Sequence, residues 1–260
     1  MLMARSISRV VVPLAWGLMW FPASAAATAA WPAKSTTPAA LRSRGPAGPQ
    51  FTRTLVLVRH GAYDENDPRD PEIGRSLTPT GREQARLTAR RLAHFALPID
   101  VLRSSMMTRA RETAAIIGDS LPGREPRAAQ DLSECTPPTE REDITQDHDL
   151  CRQRLDRAYA ALFRPSPRRD STEVVVCHGN VIRYFVCKAL GIEPSHWLRL
   201  AIQNCSISVL RVRADRIVQL VSFDDYGHLP PELVTVLRPA RPDPGPAHAV
   251  KPDSSARGVR

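Results

Sequence analysis

Two short apolar segments, each followed at once by a histidine and a glycine, constrain the fold of this chain more than any other feature. The run TLVLV precedes Arg59-His60-Gly61, and the run EVVVC precedes His178-Gly179. Continuous apolar runs of this length are typical of strands buried on both faces of a sheet. Because ligands of open α/β sheets bind beyond the carboxyl ends of the strands, we predict that both histidines face one crevice.

Helical and strand patterns alternate through the rest of residues 51–237. Further strands are predicted at Ile99–Leu102, Ser206–Val212 and Ile217–Phe223, and helices from Thr78-Pro79 to before Pro98, from Thr108 to Ile117, at Leu150–Phe163 and at Val181–Leu190. Thr78 is predicted to cap the first of these helices, and Thr80 and Glu83 to form a capping box. This alternation predicts an α/β sheet covered on both faces.

The two ends of the chain differ in composition from its middle. Residues 1–30 combine a basic start with an uncharged run and Ala-x-Ala sites, which favours a signal peptide and export to the periplasm or the medium. A membrane anchor and an organellar transit peptide are the alternatives. Residues 31–50 are predicted to be a Pro/Ala-rich linker and residues 238–260 a disordered tail, so the folded domain is predicted at 51–237.

The distribution of charge argues against nucleic acid as a partner. The whole chain has a formal net charge of +9, but residues 51–237 carry 26 basic and 25 acidic side chains. The excess charge lies in the two ends, whereas a nucleic-acid-binding domain needs a basic surface of its own.

The five cysteines predict neither a zinc site nor a disulfide framework. None of them forms a CxxC pair, and their number is odd. Cys177 and Cys187 lie in apolar runs and are predicted to be buried. Cys135 and Cys151 lie in polar stretches, where either a disulfide or two free thiols fits the sequence.

Four blocks of sequence resemble, in order, the histidine phosphatase (phosphoglycerate mutase-like) superfamily. They are LVLVRHGAYD, LTPTGREQA, SSMMTRARETA and VVVCHGNVIRY. Later stretches, HWLRLAIQNCSISVL and GHLPPEL, resemble the mitochondrial serine/threonine protein phosphatase branch of that superfamily. The chain has RHG where that branch has RHS, and it lacks the branch's Trp/Asp-rich assembly motif, so we do not expect large assemblies. The resemblance implies a three-layer αβα sandwich with a mostly parallel central sheet.

The resemblance also implies a reaction and a role for each residue. His60 is expected to attack phosphorus and form a phosphohistidine. Arg59, Arg109 and a cationic His178 are expected to neutralise the phosphoryl oxygens. Glu134 resembles the general acid that protonates the leaving oxygen, and a raised pKa suits that role.

Some residues near these motifs have alternative roles. Gly179 and Asn180 open a helix whose amides suit phosphate, but Asn180 could equally cap that helix. Glu140 and Glu142 lie in the same segment as Glu134 and compete with it for the role of the acid. Arg111 is expected to be solvated, and Arg183 to lie behind the site or at the surface.

Together these patterns predict a metal-independent phosphohydrolase without a cofactor, which acts on phosphoproteins carrying phospho-Ser/Thr or phospho-His. The alternatives are a small-molecule phosphomonoesterase, a mutase and an inactive phosphate-binding module. The expected partner is a phosphorylated substrate rather than nucleic acid, with membrane contact only through an N-terminal anchor and a homodimer as a further possibility.

Overall fold

The computed structural model describes residues 51–69, 74–141, 143 and 148–235. The predicted leader, linker and tail lie outside these residues. The chain divides into the units Met1–Gly45 and Pro46–Arg260, and the fold given below is that of the second unit.

A six-stranded mixed sheet forms the centre of this unit. Its strands are β1 Arg53–Arg59, β2 Val101–Ser105, β3 Arg127–Ala129, β4 Ser171–Cys177, β5 Ile207–Val212 and β6 Val218–Asp225, in the order β3-β2-β4-β1-β5-β6. The pairs β2–β3, β2–β4 and β1–β4 are parallel, whereas β1–β5 and β5–β6 are antiparallel. The prediction of a mostly parallel central sheet is confirmed.

Helices cover both faces of the sheet. They are α1 Pro79–Ala93, α2 Thr108–Gly118, α3 His148–Leu162 and α4 Gly179–Ala189, with short 3₁₀ turns at Gln130–Leu132, Pro194–Arg199 and Pro231–Leu233. Alternate residues of β1 enter two cores: Val56 and Val58 pack with α1 and α2, while Leu55 and Leu57 pack with α3 and α4. This alternation makes the predicted αβα sandwich. No helix within the described ranges is both long and apolar enough to cross a membrane.

The start of α1 confirms one capping prediction and corrects another. Thr78 is the N-cap, and its Oγ1 accepts a hydrogen bond from the Gly81 amide at 3.1 Å, with Pro79 in the first turn. The predicted capping box is wrong, because Thr80 already lies inside the helix. Glu83 instead pairs with two arginines one and two turns further on.

The cysteines divide as their surroundings suggest. Cys177 and Cys187 are buried in the core, as predicted, and both are free. Cys135 and Cys151 form a disulfide with a Cα–Cα distance of 5.8 Å. This disulfide joins the segment after β3 to α3.

Candidate active site

The two histidine motifs meet at the carboxyl end of the sheet. β1 and β4 are parallel neighbours, and their register places Arg59 opposite Cys177. His60 and His178 therefore leave adjacent strands side by side, and their ring centroids lie 5.0 Å apart. Both rings are almost fully buried. The two rings lie together at this end of the sheet, as their positions after the strands predict, and a shared ligand crevice stays a prediction.

Hydrogen bonds fix which nitrogen of His60 can react. His60 Nδ1 lies 2.8 Å from the carbonyl oxygen of Gly61, which can only accept, so Nδ1 carries the proton. Arg109 Nε donates to His60 Nε2 at 3.2 Å. The lone pair on Nε2 therefore faces the Arg109 guanidinium. The same guanidinium could bind the oxygens of a phosphoryl group placed next to Nε2.

The backbone around His60 is held from several sides. The Asn204 side chain donates to the His60 carbonyl at 3.0 Å, and the Gly61 amide donates to Thr113 Oγ1 at 3.1 Å. A Cβ on Gly61 would lie 2.5 Å from the Gly81 carbonyl oxygen, so the loop after β1 packs directly on the start of α1. Gly61 is required for this close approach of two backbones.

His178 rests on Ser105 at the end of β2. Its Nε2 lies 2.7 Å from Ser105 Oγ, and its buried Nδ1 has no hydrogen-bond partner among the described residues. Burial and the charges of Arg109 and Arg59 hold the pKa of His178 well below its ordinary value. The free site therefore favours a neutral His178, whereas the predicted cation is the form expected during the reaction and stays a prediction.

Arg59 and Arg109 bring positive charge into this crevice. Arg59 donates through Nη1 to the Ile202 carbonyl at 2.7 Å, while its Nε is buried without a partner within the described part of the chain. Arg109 is 5% exposed and comes from the first turn of α2. Burial lowers the pKa of both arginines, and it also leaves the pKa of His60 well below its usual value. A phosphate dianion would offset this concentration of charge.

Glu134 faces the same charges. Its Oε1 is buried and has no hydrogen-bond partner among residues that the structure describes. Burial raises the pKa of Glu134 to about 7, and the nearby Arg109, Arg59 and Arg183 oppose that rise. The cause is burial in the free site rather than a bound phosphate, but the direction is the predicted one. A carboxyl group with such a pKa can donate a proton near neutral pH.

The start of α4 closes another side of the site. Gly179 is the first residue of the helix, and a Cβ there would lie 3.2 Å from Arg183 Nη2 and 3.5 Å from Arg59 Nε. Asn180 does not cap the helix, because His178 occupies the N-cap position. Its side chain instead donates to the Cys135 carbonyl at 3.1 Å and accepts from Arg183 at 3.0 Å.

The structure adds two side chains whose position was not predicted. Tyr63 packs edge-on against His60 with a centroid distance of 5.3 Å, and Arg109 Cζ lies 4.7 Å from the Tyr63 ring centroid. Ser105 supports His178. Ser105 ends a parallel strand beside β4, so the rule that ligands bind at carboxyl ends of strands could have indicated it. Within the described residues, no group of three or more His, Cys, Asp or Glu side chains could hold a metal ion.

Comparison with known proteins identifies the family. The chain matches the histidine phosphatase superfamily (branch 1) over residues 55–149 and 135–225. The chain belongs to this superfamily. It is 39% identical over 197 residues to the mitochondrial serine/threonine-protein phosphatase Pgam5 of Caenorhabditis elegans. This match covers 71% of this chain and 66% of the relative. It is 37% identical to the Xenopus tropicalis protein, covering 72% and 69%.

Solved structures of this histidine phosphatase superfamily share the fold. A phosphoglycerate mutase from Plasmodium falciparum is 32% identical, with a TM-score of 0.51, and the match covers 69% of this chain and 95% of that one. A putative α-ribazole-5'-P phosphatase from Escherichia coli has a TM-score of 0.54 at 19% identity, covering 66% and 96%. The predicted membership and the phosphoglycerate mutase-like sandwich are confirmed.

The relatives also correct the predicted location of this histidine phosphatase. Export to the periplasm or the medium was the preferred expectation. The curated relatives are instead named mitochondrial phosphatases, which points to an organellar location. The prediction of export is therefore wrong, and its organellar alternative agrees with the relatives.

Proposed function

We propose that this histidine phosphatase domain, residues 51–237, is a metal-independent phosphohydrolase that works through a phosphohistidine. One observation carries the proposal: the lone pair of His60 Nε2 lies against Arg109, beside the second histidine. The nucleophile and the positive charge that would stabilise the transferred phosphoryl group are thus adjacent. The matched relatives are named phosphatases, which disfavours an inactive binding module.

In the first step, the His60 Nε2 lone pair forms a bond to phosphorus as the ester P–O bond breaks. Gly61 keeps the proton on Nδ1, so the attacking nitrogen stays unprotonated. Arg59, Arg109 and His178 bind the phosphoryl oxygens, together with the amides of Gly179 and Asn180 at the start of α4. Fixed donors of this kind stabilise charge without reorganising during the reaction.

Glu134 provides the proton for the leaving oxygen in this first step. Its pKa of about 7 leaves roughly half of the molecules with a protonated carboxyl group near neutral pH, because burial disfavours the carboxylate. In the second step, water attacks phosphorus, the Nε2–P bond breaks and the proton of the water returns to Glu134. Inorganic phosphate then leaves, and each group regains its starting state.

The substrates that we propose are phosphoproteins with phospho-Ser/Thr or phospho-His. The supporting observation is that the Caenorhabditis elegans, Xenopus and human relatives are named serine/threonine-protein phosphatases. The Plasmodium match, named a phosphoglycerate mutase, keeps a small-molecule phosphomonoesterase or mutase as the second candidate.

Three further features belong to this proposal. The domain works as a homodimer, its membrane contacts come only from an anchor within residues 1–30, and residues 31–50 and 238–260 serve as linker and tail. Neither nucleic acid nor a cofactor takes part. Sedimentation of the full-length chain, with and without liposomes and with residues 1–30 deleted, tests the homodimer and the anchor separately.

A phosphatase assay on the full chain tests the proposed reaction. We expect hydrolysis of para-nitrophenyl phosphate and of phosphothreonine peptides in the presence of a metal chelator, and loss of at least about 1,000-fold in His60→Ala. His94→Ala is the matched control, because His94 is exposed and its side chain bonds to the Arg90 carbonyl on α1, away from His60. Unchanged activity in His60→Ala would contradict the mechanism, and turnover of small phosphate esters but no phosphopeptide would favour the second candidate.

A further inference from the structure

The segment that carries Glu134 has no helix or strand of its own. It runs from the 3₁₀ turn Gln130–Leu132 towards α3, and its described residues from Ser133 to Glu140 are irregular. The position of the Glu134 carboxyl group therefore depends on contacts that this segment makes with its neighbours. The segment itself forms no sheet or helix hydrogen bonds between Ser133 and Glu140, although the Asn180 backbone amide of α4 bonds to the Glu134 carboxyl group.

The nearest of these contacts is covalent. Cys135, the residue after Glu134, is bonded to Cys151 in the first turn of α3. Cys151 is 5% exposed and belongs to the core that α3 and α4 share with the sheet. The disulfide therefore ties the residue beside the carboxyl group to one of the best-packed parts of the molecule.

Two polar contacts act on the same short stretch. Arg154, one turn beyond Cys151, donates through Nη2 to the carbonyl oxygens of Ser133 and Glu134 at 3.0 and 3.1 Å. The Asn180 side chain donates to the Cys135 carbonyl at 3.1 Å. Because both partners sit on helices of the same face, the disulfide, Arg154 and Asn180 together align the backbone on either side of Glu134.

The disulfide can be reached from solvent. A surface cavity of about 330 Å³ is lined by both cysteines, together with Leu150, Gln153, Arg154 and Arg157. Its size admits a small thiol. The three free cysteines of the described residues are already thiols, so in this part of the chain a reductant has only the Cys135–Cys151 bond to reduce.

We propose that the Cys135–Cys151 disulfide positions Glu134 for proton transfer and makes the activity responsive to thiols, an inference that rests on the proposed phosphatase function. A dithiol reduces the bond in two steps: its thiolate attacks one sulfur to form a mixed disulfide, and its second thiol then releases the protein sulfur. Two electrons pass to the protein, which gains two thiols, and the dithiol becomes a cyclic disulfide. The freed segment keeps its noncovalent contacts but not the covalent one, and the Glu134 carboxyl group loses its fixed distance from the leaving oxygen.

The dependence of the rate on the leaving group provides the test. Displacing the general acid should slow only the hydrolysis of esters whose leaving group must be protonated. The full-length chain is assayed oxidised and after dithiothreitol, with phenyl phosphate as the poor leaving group and 2,4-dinitrophenyl phosphate as the good one. We expect reduction to lower kcat/KM for phenyl phosphate by at least about ten-fold and that for the dinitrophenyl ester by less than about two-fold. Reoxidation should restore kcat/KM for phenyl phosphate to its value before reduction.

Three variants separate positioning from a general loss of structure. The double variant Cys135→Ala with Cys151→Ala should show the reduced pattern and ignore dithiothreitol, whereas Cys187→Ala should respond as the wild type does. Glu134→Gln should lose the thiol response while keeping the disulfide. If the double variant does not fold, the wild-type comparison before and after reduction still gives the answer.

An equal fall for both esters, or no change on reduction, would overturn the inference while leaving the phosphatase intact. Absence of His60-dependent turnover of either ester by the oxidised chain would overturn the proposed function itself, and this inference with it.

Discussion

Single hydrogen bonds determine how the groups of this site can react. The Gly61 carbonyl sets the tautomer of His60, and Ser105 orients the ring of His178. Burial is the main influence on the protonation state of Glu134, as it is for both histidines, but for a carboxyl group it favours the acid form. At the residue scale, the site combines a nucleophile, His60, whose tautomer is fixed before substrate binds, with the Glu134 carboxyl group, which is about half protonated near neutral pH.

The pH dependence of the reaction should report on Glu134. Its pKa is raised to about 7, so the acid form needed by a poor leaving group is lost as the pH rises above that value. We expect kcat/KM for phenyl phosphate to fall above pH 7, with little change for 2,4-dinitrophenyl phosphate. Glu134→Gln should lower the phenyl phosphate value about 100-fold and remove this fall.

Glu140→Gln is the matched control for Glu134→Gln. Glu140 belongs to the same segment but is exposed and pairs with Arg199 and His196. It should keep the wild-type pH profile. A normal profile in Glu134→Gln and an altered one in Glu140→Gln would reverse the assignment of the acid.

Tyr63 should contribute through its ring. Arg109 Cζ lies 4.7 Å from the ring centroid, a contact between a cation and an aromatic face that contributes about 1 kcal/mol in partly buried places. We expect Tyr63→Ala to lower kcat/KM for para-nitrophenyl phosphate about five- to ten-fold and Tyr63→Phe to retain most of it. Steady-state kinetics of both variants provide the measurement. Equal losses in the two variants would indicate the hydroxyl group instead.

At the scale of elements, the packing of the loop after β1 on α1 should be sensitive to a single methyl group. A Cβ on Gly81 would overlap the carbonyl oxygen of Ala62, and both groups belong to the backbone. Gly81→Ala should therefore lower the free energy of unfolding by about 2 to 3 kcal/mol and reduce activity, since the loop follows His60 directly. Denaturant unfolding measures the first effect.

Gly118→Ala is the control for this substitution. Gly118 ends α2, and a Cβ there would meet its nearest atom at 3.4 Å. It should leave stability and activity nearly unchanged. A loss as large as that of Gly81→Ala would show that helical glycines in general, rather than this contact, are sensitive.

Elements with strong periodicity or clear ends could be predicted from the sequence. The predicted helix at 150–163 is observed at His148–Leu162, and Thr78 caps α1 as its Thr-Pro pair suggests. β3 was missed because three residues, two of them exposed, carry no alternation to detect. β2 begins two residues later than predicted and continues to Ser105, since polar serines hide a buried strand end.

The site was partly predictable for a similar reason. His60 and His178 follow apolar runs directly, so the sequence marks their place at the sheet edge. The partners of Glu134 depend on how an irregular segment packs, and no periodic pattern encodes that. The Asn180 side chain was expected to meet phosphate or the helix end, but it bonds to Arg183 one turn further on and to the Cys135 carbonyl, and the second of these is a tertiary contact.

At the scale of the whole molecule, buried charged side chains occur at a second place besides the active site. Near the amino end of β4, Glu173 binds Arg53 at 2.6 Å and Arg103 at 2.9 Å, and both Glu173 and Arg53 are nearly fully buried. Glu173→Ala would leave a buried guanidinium without its anion. We expect it to lower the free energy of unfolding by about 3 to 5 kcal/mol, measured by denaturant unfolding.

Glu83→Ala is the comparison, because the exposed pairs of Glu83 with Arg86 and Arg90 should contribute less than about 1 kcal/mol. Catalysis per folded molecule should be unchanged in Glu173→Ala, since Glu173 lies five residues before His178, towards the other end of β4. Similar losses of unfolding free energy in Glu173→Ala and Glu83→Ala would contradict the expectation that removing a buried ion-pair partner costs more than removing an exposed one.

The strand order also governs how a newly made chain acquires its site. β1 leaves the ribosome first of the six strands, yet its two neighbours, β4 and β5, are among the last three. Through most of synthesis, the run TLVLV has no strand to pair with and presents an apolar edge to other nascent chains. Chaperone capture of this segment should therefore be strongest before β4 is made, and phosphatase activity should emerge only once β5 has been released.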